Sequence, residues 1–139
     1  ACTVVKEGAR LEQARGTLAS LRERYAHIAL SDTGLWTNQN LSYARAVGDM
    51  LVIADAMIEA SVARRESRGS HYRSDFPKRN DGEFLKTTVV NYVPESGRVD
   101  IGYEPVRSEL VTPRERNYSK THAPAKAEKA ETAKASAAS

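Results

Sequence analysis

Cysteine is almost absent from this chain: Cys2 stands alone among 139 residues. That excludes an internal disulfide framework and any multi-cysteine metal site, and it fits a reducing compartment. Long apolar runs are lacking too. Nothing approaches the length that spans a bilayer, and no charged-then-apolar leader opens the chain. The eight glycines form no G-x-G-x-x-G turn after a strand, so the dinucleotide-binding fingerprint is missing. Charge of one sign is also scarce. The formal net charge is +3, but beyond Ser119 Lys120, Lys126, Lys129 and Lys134 outnumber Glu128 and Glu131, which leaves the body close to neutral. Net charge alone gives no reason to invoke nucleic acid. The first residue is Ala1 rather than Met, as in a processed or excerpted chain. Its length allows at most one ordinary domain with a modest core.

What the sequence does contain is helical periodicity. Leu11, Ala14, Leu18, Leu21, Tyr25 and Ile28 recur at steps of three and four, the stripe of an amphipathic helix from about Ala9 to Ile28, with Gly16 a local penalty. Ser31-Asp32-Thr33-Gly34 reads as a turn in which Asp32 or Thr33 accepts backbone N–H groups. A second helix is expected from Thr37 or Asn38, either a good N-cap. Its apolar positions are Leu41, Ala44, Val47, Gly48, Leu51, Ala54, Ile58 and Val62, with Met50, Ile53 and Met57 widening the stripe. Such a helix is apolar over more than half its circumference and needs at least two neighbours. The first helix covers one side, and the chain offers no obvious second partner.

The segment Ala63–Pro77 follows. Arg64, Arg65, Arg68 and Arg73 alternate with Glu66, Ser67, His71 and Asp75, an order that a merely solvated helix end does not need. Gly69 suits a left-handed position just past a helix end, and arginines in the last turn complement the helix dipole. Asn80-Asp81-Gly82 reads as another turn. Lys86–Val93 and Arg98–Glu104 read as strands of a hairpin around Pro94-Glu-Ser-Gly97. Pro105 and Pro113 bound an extended stretch to Tyr118, and the Ala/Lys-rich tail over 119–139 is expected to be disordered.

These residues resemble a family. Arg64-Arg-Glu-Ser-Arg-Gly-Ser-His-Tyr-Arg73, Asp75-Phe-Pro-Lys-Arg-Asn-Asp81 and Phe84-Leu-Lys-Thr-Thr88 are similar to the C-terminal helical domain of succinate dehydrogenase and fumarate reductase flavoprotein subunits. Leu21-Arg-Glu-Arg-Tyr25, Ser31-Asp-Thr33 and Trp36-Thr-Asn-Gln39 resemble its bacterial members. Tyr103-Glu-Pro-Val106 and Pro113-Arg-Glu-Arg-Asn-Tyr118 resemble the family's final strand and basic-aromatic end. The resemblance implies a mainly α fold: an incomplete three-helix, spectrin-repeat-like bundle lacking its first helix, followed by a β-hairpin and an extended C-terminal segment. It implies a domain over 1–118 and a tail over 119–139.

The resemblance also implies a longer parent that interconverts succinate and fumarate through FAD. FAD, the catalytic arginine and the substrate-binding residues would lie outside this fragment, which would bind no flavin and turn over no substrate by itself. The implied partners are the parent's flavin-binding and capping domains, an iron–sulfur subunit and a quinone-reactive membrane anchor. The implied location is peripheral, on the cytoplasmic face of a bacterial inner membrane. No catalytic, cofactor-binding or metal residue is assigned here. Arg65, Glu66, Arg68, His71 and Arg73 are taken as a domain-docking set.

Individual residues have blander readings as well. Arg68 and His71 have the chemistry to bind a carboxylate and move a proton, but closing a helix end is the reading preferred for them. Glu66 is read as a salt-bridge partner and not a general base. Trp36 is read as filling a gap between helices, and Met50 and Met57 as core filler. His27 is read as a cap or surface residue, Cys2 as inert, and His122 as idle in the tail. Asp55 either faces an arginine of a missing domain or lies in water at the stripe's edge. The tail is read as solvated, with a tether to anionic lipid as the other use.

A second class of function is a small basic helical protein that binds nucleic acid through Arg64, Arg65, Arg68, Arg73 and the tail lysines. Such binding would weaken by roughly one log-log unit of salt per phosphate contacted, and Glu66, Asp75, Asp81 and Glu83 argue against it. Within the family, aspartate oxidase and adenylylsulfate reductase flavoproteins are a third option.

Overall fold

The computed structural model describes residues 2–111, 113 and 114. The chain divides into two units, Ala1–Arg107 and Ser108–Ser139, and every helix and strand found among the described residues lies in the first. Of the expected stretch from Pro105 to Tyr118, residues 106–111, 113 and 114 are described and belong to no helix or strand; its end, the tail and His122 lie outside the described residues.

Two helices dominate. Helix α1, Gly8–Ala26, and helix α2, Gln39–Ala63, lie within two residues of the positions that their periodicity predicts. Asn38 caps α2, its Oδ1 accepting the Leu41 N–H at 2.9 Å. Its amide donates to the carbonyls of Asp32 and Gly34 at 2.8 and 3.0 Å. Asp32 accepts the Gly34 N–H at 2.8 Å, as the turn chemistry requires. His27 is the C-cap of α1.

The two helices pack through Leu11 and Leu18 of α1 and Ala44 and Ile58 of α2, all buried. Gly48 permits a close approach: a Cβ there would lie 2.6 Å from Tyr25 Oη. Two ion pairs fasten the interface, Arg15 to Glu59 and Arg22 to Asp55, the latter at 3.1 Å. Asp55 thus takes neither place considered for it. It is partly buried and satisfied by the chain's own first helix.

Beyond α2 the chain departs from expectation in three places. Helix α2 ends at Ala63 with no basic residue in its last turn, and Arg64 is already extended at φ −90°, ψ 99°. Gly69 is left-handed, φ +58°, but as part of a tight turn in which Arg68 and His71 exchange N–H···O bonds of 2.8 and 3.0 Å. The expected turn at Asn80-Asp81-Gly82 is instead the start of a one-turn helix, α3, Asp81–Phe84, because the Asn80 side chain accepts the Glu83 N–H at 3.2 Å.

A pairing that the sequence did not reveal joins strands β1, Val5–Lys6, and β2, Tyr72–Arg73, in parallel, with Val5 opposite Tyr72 and Lys6 opposite Arg73. The hairpin is as expected. Strand β3, Lys86–Val93, pairs antiparallel with β4, Arg98–Pro105, in register from Lys86 opposite Pro105 to Val93 opposite Arg98. Gly97 closes it at φ +63°, its N–H donating to the Val93 carbonyl at 2.9 Å. The hairpin lies against α2. Phe84, buried at its base, meets Tyr103 edge-on at 6.4 Å, and Lys86 Nζ sits 3.9 Å from the Tyr103 ring centre. The architecture is mainly α, as expected: a helical hairpin carrying a β-hairpin.

Candidate functional site

The segment after α2 folds around one carboxylate. Glu66 is fully buried. Its Oε1 accepts from Arg64 Nε at 3.0 Å and Arg68 Nε at 2.7 Å, and its Oε2 from Arg68 Nη2 and the Asn80 N–H, both at 2.9 Å. Burial alone would push this carboxyl up. The bonds from Arg68, the Asn80 amide and Arg64 outweigh it and hold the group below the usual carboxylate range. Glu66 is therefore an ion-pair partner, as read from the sequence.

Arg64 extends the network. It donates to the Phe84 carbonyl at 2.6 Å, to the Lys86 carbonyl at 3.1 and 2.9 Å, and to Thr88 Oγ1 at 2.8 Å, tying the end of α2 to β3. Arg68 reaches Asp81 at 2.7 Å, and Arg79 joins it there at 2.5 Å. Those two arginines, Arg79 foremost, draw the Asp81 carboxyl down to about 2.

A second pair sits beside the first. Arg73 is buried; it donates to the Ser61 carbonyl at 2.6 Å and grips Asp75 through two bonds of 2.8 and 2.6 Å. Asp75, lowered to about 2 chiefly by Arg73, also accepts the Gly8 N–H at 3.1 Å. It therefore caps α1 from the far side of the chain, where Glu7 supplies no side-chain cap. Ser67 accepts the Arg73 N–H at 2.9 Å. His71 is half-buried, with Nε2 3.2 Å from the Arg64 carbonyl, which can only accept, so an Nε2–H donates there; burial pushes the imidazole's pKa down. Among the described residues no buried side-chain polar atom lacks a partner.

Of the five residues expected to dock, Glu66 and Arg73 face inward, and Arg68 and His71 are half-buried within the same knot. Arg65 alone is exposed. Arg64, which the docking set omitted, is the hub. The alternation Arg64-x-Glu66-x-Arg68 was its signal, since extended backbone sends residues two apart to one side. Because Arg64, Arg68 and Arg73 are bound to carboxylates, the cation cluster that nucleic-acid binding would need is mostly occupied within the chain. No group of acidic, histidine and cysteine side chains among the described residues could hold a metal ion.

Apolar surface is open elsewhere. A groove of about 400 Å³ runs along the helical hairpin, lined by Ala14, Leu18, Leu21 and Ile58 together with the polar Arg10, Gln13 and Thr17. A second continues it past Leu21, Tyr25, Ile28, Val47 and Leu51. Met50 and Met57 are not core filler; they are 65% and 50% exposed on α2. Trp36 does not fill a gap between helices either. It is 88% exposed in the interhelical loop, beside Thr37 at φ +53°.

A model of the fumarate reductase flavoprotein C-terminus matches residues 1–118. The succinate dehydrogenase flavoprotein subunit of Bacillus subtilis is 38% identical over 118 residues, 85% of this chain and 20% of that protein. The fumarate reductase flavoprotein subunit of Haemophilus influenzae is 34% identical over 117 residues, 84% of this chain and 19% of that protein. A mutant E. coli quinol fumarate reductase superposes with a TM-score of 0.76 at 28% identity, over 81% of this chain and 19% of that one. The chain spans about a fifth of the length of the curated relatives it matches.

Proposed function

Because this chain belongs to the family of fumarate reductase and succinate dehydrogenase flavoprotein C-terminal domains, we propose that it is the structural end of such a flavoprotein, a helical buttress for the remaining polypeptide. The parent interconverts succinate and fumarate, with FAD held by its other domains. It passes electrons to an iron–sulfur subunit and onward to a quinone-reactive membrane anchor. It sits peripherally on the cytoplasmic face of a bacterial inner membrane. In support, no helix among the described residues is long and apolar enough to cross a membrane.

The observation that carries this reading is the open groove between α1 and α2. A third helix laid there would cover Leu21, Ile28, Val47 and Leu51 and complete the bundle. The knot around Glu66 then has a docking role in two layers. Glu66 and Arg73 hold the segment rigid from within, and Arg65, Arg68 and His71 form its outer side. In this reading residues 1–118 form the domain and 119–139 a tail, which the family match over 1–118 supports.

In the full-length flavoprotein, Arg68→Ala is expected to lower flavin retention and thermal stability while leaving the shape of the pH–rate profile unchanged. Loss of activity with flavin content and thermal stability intact would overturn the docking role.

A further inference from the structure

The groove does not use all the apolar surface of α2. Tyr43, Ala46, Met50, Ile53, Met57 and Ala60 succeed one another at steps of three, four, three, four and three. That is the heptad spacing that keeps one line of residues on one side of a helix. The large members are open to solvent: Tyr43 is 68%, Met50 65%, Ile53 59% and Met57 50% exposed. The helix turns a different side to α1, through Ala44, Gly48, Asp55, Ile58 and Glu59. Met50, Ile53 and Met57 line neither of the two grooves described above, whereas Tyr43 borders a further hollow with Ile28, Asn40 and Val47 at the start of α2. A helix seated in the groove would leave this seam bare.

We propose that the outer seam of α2 is a second docking surface, and that its occupant is an α-helix from the remaining four-fifths of the flavoprotein. This rests on the domain reading given above. The heptad spacing selects a helix over a strand or loop, because only a helix of matching period keeps its side chains over such a seam. Small Ala46 lies between Tyr43 and Met50, and Ala60 follows Met57, leaving hollows for the partner's larger side chains on either side of the Met50–Ile53–Met57 stretch. The unbranched methionines adapt to whatever fills the remaining gaps. The flanking exposed charges are Arg45 and Asp49, one of each sign. The basic flank of a helix that lies on anionic lipid is therefore missing. Relatives carry this region joined to about four times its length of further chain, so a helix in that polypeptide meets the seam at high effective concentration.

The test is thiol labelling in a Cys2→Ser background, in the full-length flavoprotein and in the 139-residue chain. Probe positions are Ile53→Cys and Met57→Cys in the seam, Leu21→Cys in the groove and exposed Arg45→Cys as reference. In the flavoprotein, both seam thiols and the groove thiol should react at least about tenfold more slowly than the reference. In the short chain the seam thiols should react at close to the reference rate. A protected groove with a freely reacting seam would overturn this inference and leave the domain reading standing. Free reaction at both would overturn the domain reading as well. Seam protection that grows with the concentration of the short chain alone would mean that a second copy covers it, and would overturn the choice of partner.

Discussion

Glu66 has no contact with solvent, yet its four hydrogen bonds keep it ionised between two arginines. Removing it would strand Arg64 without a counter-charge and leave Arg68 only its pair with Asp81. Glu66→Ala is therefore expected to cost about 3–5 kcal/mol, the range for breaking a buried pair from one side. Exposed Arg65→Ala should stay within about 0.5 kcal/mol. Urea unfolding of both variants checks the contrast. The acid limb of stability follows from the same residues. Glu66, Asp75 and Asp81 all have lowered pKa values, the last two near about 2. A depressed carboxylate stabilises the fold above its unfolded pKa, and that contribution fades as pH falls through the folded one. The melting temperature should therefore hold steady down to about pH 4 and drop between there and about pH 2. A flat profile through that window would show that these pairs do not stabilise the chain.

At the scale of elements, Asn38 does two jobs that can be separated. Asn38→Ala loses the cap on α2 and the two bonds to the loop carbonyls, and should cost about 1–2 kcal/mol. Asn38→Asp keeps the cap and loses only the donors, so it should fall in between; chemical denaturation ranks the three. The elements legible in the sequence are those with a period. Leu11 to Ile28 gave α1, Leu41 to Val62 gave α2, and Lys86–Val93 with Arg98–Glu104 gave the hairpin around a turn glycine. Strands β1 and β2 escaped because two residues have no period to detect. The arginines were visible as a cluster, but not their partners: Arg64 finds Phe84 and Lys86, and Asp75 finds Gly8, through folding alone. Trp36 misled because an aromatic residue beside a helix start reads the same whether buried or presented. The left-handed conformation of Gly69 is legible in the sequence but its place is not, since a helix end and a tight turn both favour that conformation.

For the whole molecule, the balance of covered and uncovered apolar surface decides behaviour. The over-apolar α2 was evident from composition around the helix. That its excess divides into a groove and a separate seam was not, because the division depends on where α1 lies. The chain by itself should bind a hydrophobic dye such as ANS, and Leu21→Lys with Met57→Lys should reduce that uptake. Uptake unchanged by both substitutions would mean that these surfaces are not the exposed ones.

The pairing of Asp75 with Gly8 also sets an order of events during synthesis. Their separation of 67 residues means that a ribosome adding about 5–20 residues per second needs roughly 3–13 seconds between making the first and the second. Throughout that interval the start of α1 is a nascent helix without its cap. A chaperone or neighbouring polypeptide that binds the emerging segment has that long to do so before Asp75 arrives.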